Sequence, residues 1–173
     1  MRILGLCGSL QQQSANLELL QTAAKLTAQD TPISIFTGIR ELPFFNPDID
    51  GADAPNQVRE WRVALAECDA VFIASPEYGH SLPGVLKNAI DWVVGSGELY
   101  GKPVAITAAV PAPDRGQRGL AALRTTLQAV EAVVVVGKPI VRGPNFRLDI
   151  DALLEELLAV HARLSEPLLQ LRA

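Results

Sequence analysis

The chain has 173 residues, of which 49% are apolar and 20% charged, and its formal net charge is −4. That length suits a single domain over residues 1–173 with a full core and no need of staples. Mild acidity and the lack of any Lys/Arg run exclude a nucleic-acid or anionic-membrane surface. No stretch approaches the roughly 18 apolar residues of a membrane span.

Arg2 to Leu6 is a short apolar run that reads as a first strand. The apolar residues before Cys7 are too few for the core of a secretion signal, so a lipoprotein-type cleavage box is rejected. Cys7 and Cys68 have neither CxxC spacing nor a metal-ligand cluster. Both are expected as small buried hydrophobes in a reducing cytoplasm, with no metal site. Gly8 to Asn16 is a polar loop. Leu17, Leu20, Ala24 and Leu26 then form a helical stripe, with Ser14 or Asn16 as cap.

Ile33 to Phe36 reads as a second strand. Gly38 to Pro55 carries Pro43, Pro47 and Pro55 and reads as a long loop. Asn56 to Glu67 is a helix with Val58, Trp61 and Leu65 inward. Ala70 to Ala74 is a third strand, and Pro76 to Pro83 a loop rich in proline and glycine. It launches a helix that runs to Val94 and is stopped by Gly95 and Gly97. Pro103 to Ala109 is a fourth strand, Pro111 to Arg118 a loop, and Leu120 to Val130 a helix. Val133 to Val136 is a fifth strand, which Ile140 and Val141 are placed to extend. A final helix capped by an aspartate is expected from Asp151 to about Leu171, broken or kinked by Pro167.

The strands are continuous apolar runs, so they should be buried on both faces. Strand and helix alternate five times. The economical fold is α/β, a doubly wound five-stranded parallel sheet of flavodoxin-like order 2-1-3-4-5. Its switch point lies between strands one and three, where the loops Gly8–Asn16 and Ser75–Pro83 meet. The loop Val110 to Gly116 should form a third wall.

Ser9, Ser14 and Asn16 put two hydroxyls and an amide around a helix N-terminus, which favours an anion. Neither GxxxxGK[ST] nor GxGxxG is present. Local sequence alone leaves a helix cap and a phosphate cradle open. Tyr78 and the backbone at Gly79 suit a flat heteroaromatic ring. Phosphate at one loop and a flat ring at the next describe flavin mononucleotide (FMN).

Three segments carry a family resemblance. Residues 8–16, GSLQQQSAN, resemble a G-S-L-R-x-x-S-x-N phosphate loop. Residues 76–92, PEYGHSLPGVLKNAIDW, resemble P-E-Y-N-x-S-x-P-G-x-L-K-N-A-[IL]-D-W. Residues 42–48, LPFFNPD, resemble L-P-x-[FY]-[ND]-x-D, and Gly101-Lys102-Pro103 matches the entry to strand four. The chain thus resembles the NAD(P)H-dependent FMN reductases, which include quinone, chromate and azo reductases.

The resemblance implies FMN as cofactor and NADPH or NADH as co-substrate. It implies that Ser9, Leu10, Gln11, Ser14 and Asn16 hold the phosphate end. Pro76, Glu77, Tyr78 and Gly79 would line the ring. The flavin carries the hydride chemistry, so no side chain is named as catalytic. Lys87, Asn88 and Asp91 are expected to order their helix, and His161 to lie on the surface. The resemblance also implies a small-molecule acceptor and a homodimer or homotetramer. Three positions depart from the family pattern. Gln11 replaces an arginine, Gly79 replaces an asparagine, and the 109–116 loop lacks the usual serine and glycines. A flavodoxin-like electron carrier and a flavin-poor interaction module are the rival readings.

Overall fold

The computed structural model describes residues 1–27 and 30–170. Five apolar runs form the main sheet: β1 (Ile3–Cys7), β2 (Ile33–Phe36), β3 (Ala70–Ala74), β4 (Pro103–Thr107) and β6 (Val133–Val136). All neighbours are parallel, in the order β2-β1-β3-β4-β6. This is the expected 2-1-3-4-5 arrangement. The label shifts because a short strand, β5 (Ala109–Val110), intervenes. It pairs with β7 (Ile140–Val141) in a separate two-stranded sheet. Ile140 and Val141 therefore do not extend the fifth strand.

Side chains alternate across the sheet, so each central strand feeds two cores. Leu4, Leu6, Val71, Ile73, Val104 and Ile106 face one core with α2 (Asn56–Ala66), α3 (Gly84–Asp91) and α4 (Gln117–Ala129). Ile3, Cys7, Phe72, Ala74 and Ala105 face the other with α1 (Ala15–Leu26) and α5 (Phe146–Gln170). β1, β3 and β4 are buried along their whole length, which is why they read as unbroken apolar runs. Val58, Trp61 and Leu65 face inward on α2 as expected.

Several elements differ from the sequence reading. On α1 the buried positions are Asn16, Leu19, Leu20 and Ala23; Leu17, Ala24 and Leu26 are only partly covered. A buried polar residue at the first turn rotates the helix away from the stripe that hydropathy alone picks out. The 38–55 segment is not a bare loop but holds three 3₁₀ turns, Gly38–Glu41, Pro47–Ile49 and Gly51–Asp53. α3 ends at Asp91, before the glycines, and Trp92 and Val93 continue inward as turns. α4 starts at Gln117, three residues earlier than expected.

α5 starts at Phe146, so Asp151 is no cap. The carbonyl of Asn145 accepts the Asp149 N–H at 2.9 Å and opens the helix instead. The helix continues through Pro167 to Gln170, and the last expected residue, Leu171, lies outside the described residues. His161 is half-buried rather than on the surface.

The C-terminal ends of the central strands are laced together beyond the ladder. Gly8 N–H donates to Ala74 O, Ser75 N–H to Thr107 O and Ile140 N–H to Ala108 O, at 2.8–2.9 Å. This edge carries the loops of interest.

Candidate functional site

The first loop follows β1. Ser14 caps α1, its hydroxyl accepting from Leu17 N–H at 3.4 Å and its carbonyl from Glu18 N–H at 3.0 Å. Ser9 Oγ accepts from Gln11 N–H at 3.3 Å, which curls the loop on itself. Beneath it lies Cys7, whose Sγ reaches Ser9 O at 3.5 Å and Ser14 Oγ at 3.9 Å. Burial pushes that thiol's pKa up, so it stays protonated and inert.

The N–H groups of Leu10, Gln12, Gln13, Ser14, Ala15 and Asn16 have no hydrogen-bond partner among the described residues. They lie in the loop and first turn that open a 12-residue helix. Free N–H groups at the positive end of a helix dipole form an anion-binding nest. Leu10 and Gln11 are exposed on the outer limb of the loop.

Asn16 is 5% exposed, and its Oδ1 accepts from Ala109 N–H at 2.9 Å. This asparagine bolts the start of α1 to the exit of β4, so only its amide nitrogen is left for a ligand. The three loops that the sequence placed around one crevice therefore do meet. Asn16 joins the first to the third, and Gly8 lies so close to Ser75 that a Cβ there would sit 3.0 Å from Ser75 Oγ.

The second loop follows β3. Tyr78 and Ser81 exchange two backbone hydrogen bonds of 3.0 Å. The two residues between them, Gly79 and His80, have φ of 56° and 61°. Positive φ at both central positions is the type I′ hairpin turn, which glycine adopts freely and histidine more readily than most residues. The family's asparagine is another residue that tolerates this conformation, so Gly79 preserves the turn while removing an amide. The N–H groups of Glu77, Gly79 and His80 have no partner among the described residues. Tyr78 is 55% exposed at the rim.

Glu77 does not present its carboxylate to a ligand. Its Oε2 accepts from Gly119 N–H at 2.8 Å, and its Oε1 lies 3.2 Å from His80 Nδ1. Gly116, which precedes α4, has no side chain to cap it, so Glu77 caps the helix from 42 residues away. The Gly119 N–H, and then His80, hold the Glu77 carboxyl below its usual pKa. A Cβ at position 119 would sit 2.9 Å from Glu77 Cβ and 3.1 Å from its Cα. Only glycine permits this approach.

The rest of the long motif is scaffolding. Asn88 Nδ2 and Trp92 Nε1 both donate to Pro43 O, at 2.9 and 2.8 Å, and Asn88 Oδ1 accepts from Phe45 N–H. Phe45 stacks edge-on against Trp92, with ring centres 5.1 Å apart. Lys87 pairs with Asp91 along the exposed helix face. Behind them Arg62 bonds Asp50 at 2.6 Å and the Trp92 carbonyl, and this guanidinium lowers the pKa of Asp50.

One residue beside the first loop was missed. Arg40, on the 3₁₀ turn after β2, donates to Leu10 O at 2.9 Å. With Ser9, Leu10 and Gln11 it lines a cavity of about 290 Å³. Its partner lies 30 residues away, and no local pattern announces such a contact.

The sequence model of NADPH-dependent FMN reductases matches residues 1–143. The chain belongs to that family. This FMN reductase family member is 30% identical over 154 residues to a quinone reductase of Escherichia coli, covering 87% of this chain and 81% of the relative. It is 38% identical over 110 residues to an NAD(P)H-dependent FMN reductase of Pseudomonas aeruginosa. That match covers 62% of this chain and 59% of the relative, and a match to a 2-hydroxy-1,4-benzoquinone reductase of a Burkholderia species covers 58% of the relative. The chain thus spans less than two thirds of those two relatives. Among solved structures it superposes on FerB of Paracoccus denitrificans, a flavoenzyme NAD(P)H:(acceptor) oxidoreductase. The TM-score is 0.80 at 26% identity, covering 91% of this chain and 97% of FerB.

FMN fits the residues present. The nest of free N–H groups and the Ser9 hydroxyl match the demands of a phosphate. The free N–H groups of the Tyr78–Ser81 turn, beside Pro76 and Tyr78, match the polar edge and flat face of a flavin ring.

Proposed function

We propose that the chain is an FMN-dependent oxidoreductase that takes hydride from NADPH or NADH and passes electrons to a small acceptor such as a quinone or free flavin. The observation that carries this reading is the pairing of two donor-rich loops at the sheet's switch point, where Gly8 and Ser75 are in contact. Bound FMN supplies the two-electron chemistry.

The residues supply position. The free N–H groups of residues 10 and 12–16 and the Ser9 hydroxyl hold the phosphate, and the Asn16 amide nitrogen completes the cradle. Pro76 and Tyr78 wall the ring, and the Gly79 and His80 N–H groups bond its polar edge. Glu77 keeps the turn in place by capping α4, so its carboxylate is committed and is not the acid of the reaction. His80, at the exposed tip of the turn, borders the space an acceptor enters.

The chain works in the cytoplasm, consistent with two free buried cysteines. Among the described residues no helix is long and apolar enough to cross a membrane. It assembles as a homo-oligomer through the face carrying Phe44, Phe45 and Ile49, which are 91%, 37% and 39% exposed.

The deciding test is to titrate FMN into purified protein, following flavin fluorescence, and then to measure NAD(P)H oxidation with benzoquinone as acceptor. Saturable FMN binding and quinone-dependent oxidation are expected. A protein that binds no flavin, or binds it without oxidising either nucleotide, rejects the proposal.

A further inference from the structure

The loop from Gly8 to Asn16 contains no Lys or Arg. From the loop itself a phosphate monoester would meet only neutral donors, yet a charge-assisted bond is roughly twice as strong as a neutral one. Gln11 stands where the motif's arginine would be. We propose that Arg40 supplies the missing charge. The cation that holds the FMN phosphate is thereby moved from the loop to the turn after β2. This inference rests on the placement of FMN put forward above.

Four observations support it. Arg40 Nη2 already donates to Leu10 O at 2.9 Å, so its guanidinium lies against the loop's backbone. It borders the same cavity as Ser9 and Gln11. Its base is fixed, because it sits on a 3₁₀ turn whose neighbour Ile39 is 4% exposed. Lastly, its charge is uncommitted.

Arg62 pairs with Asp50, Lys87 with Asp91, and Arg142, the cation that borders the neighbouring cavity at Gln12–Ala15, with Glu18. Arg40 has no ion-pair partner among the described residues. One N–H of its five is used by Leu10, and the others are free to meet phosphate oxygens in the planar geometry that suits guanidinium.

A bland role competes: Arg40 pins the Leu10 carbonyl and does nothing more. The two are separated by asking whether charge, rather than position, is what matters. Dissociation constants for FMN and for riboflavin, which lacks the phosphate, are measured by flavin fluorescence at low and high salt. The proteins are wild type, Arg40→Gln, Gln11→Arg and the double variant.

The expected result is that Arg40→Gln weakens FMN binding by about tenfold or more, leaves riboflavin binding within about twofold, and flattens the salt dependence. Gln11→Arg in the Arg40→Gln background should restore most of the loss, because it returns the charge from another position. The flavin-free proteins should melt alike.

The assignment is overturned if Arg40→Gln binds FMN like wild type, if FMN and riboflavin weaken together, or if Gln11→Arg fails to rescue. If wild type binds FMN normally in those cases, the function proposed above still stands. If wild type binds neither flavin, both fall.

Discussion

Asn16 offers the sharpest test of how the site is built. Its Oδ1 satisfies the Ala109 N–H in a place that is 5% exposed. Asn16→Ala leaves that N–H without an acceptor in a part-buried setting, which costs about 1–3 kcal/mol. At about 2–4 °C per kcal/mol for a chain of this size, the melting temperature should fall by about 2–12 °C.

Asn16→Asp keeps the acceptor. It also places a negative charge in the first turn of α1, worth about 0.3–1 kcal/mol in its favour, and surrounds it with free N–H groups. It should therefore lose less than half of what the alanine variant loses. Yet the same carboxylate would stand beside a phosphate, so FMN binding should weaken by about tenfold or more. The assay is thermal unfolding of flavin-free protein, paired with an FMN titration. If Asn16→Ala melts with wild type, the Ala109 bond contributes nothing. If Asn16→Asp is as unstable as Asn16→Ala, acceptor geometry is not what Asn16 supplies.

Further outcomes follow from neighbouring contacts. Gly119→Ala should destabilise the protein by about 1–3 kcal/mol in urea unfolding, because its Cβ meets Glu77 Cβ and Cα rather than a movable side-chain end. It should also weaken flavin binding, since the clash falls on the second loop. Glu77 has a folded pKa below its unfolded one, so its stabilisation is fully present above the ordinary glutamate value of about 4.3 and disappears as pH falls through the lower folded value. The stability gap between wild type and Glu77→Gln, read by urea unfolding across pH, should be constant near neutrality and close in that acid window. Leu86, fully buried under Gly8, should cost about 2–5 kcal/mol as Leu86→Ala in the same measurement. Gly79→Asn should leave the melting temperature within about 2 °C, because nothing lies within 4 Å of the added Cβ and asparagine tolerates positive φ, while Gly79→Val should lower it clearly.

The sheet was legible because strands buried on both faces leave no choice of pattern: Ala70–Ala74 and Pro103–Thr107 are apolar throughout. Parallel strands with right-handed crossovers then leave little freedom of order. The loops of the crevice were legible as loops, and their meeting point followed from topology.

What escaped were contacts between distant residues. The second role of Asn16, its bond to Ala109, could not be read because the partner lies 93 residues away. The capping role of the Glu77 carboxylate could not be read because its partner, Gly119, lies on another helix 42 residues away. The start of α5 was within reach. Asn145 is an ordinary helix-opening residue before an amphipathic run, and the aspartate at 151 drew the boundary too late.

The clamp on Pro43 has a consequence beyond the site. Asn88 and Trp92 grip the 43–45 segment by three hydrogen bonds. The segment so held presents Phe44 almost wholly to solvent. Its backbone is thus preorganised before any encounter, and association on that face loses little main-chain freedom. The long motif that marks the flavin family therefore does a second job. It sets an aromatic outward on a stiff mount, so a partner docking there would meet a ring whose backbone is already in place.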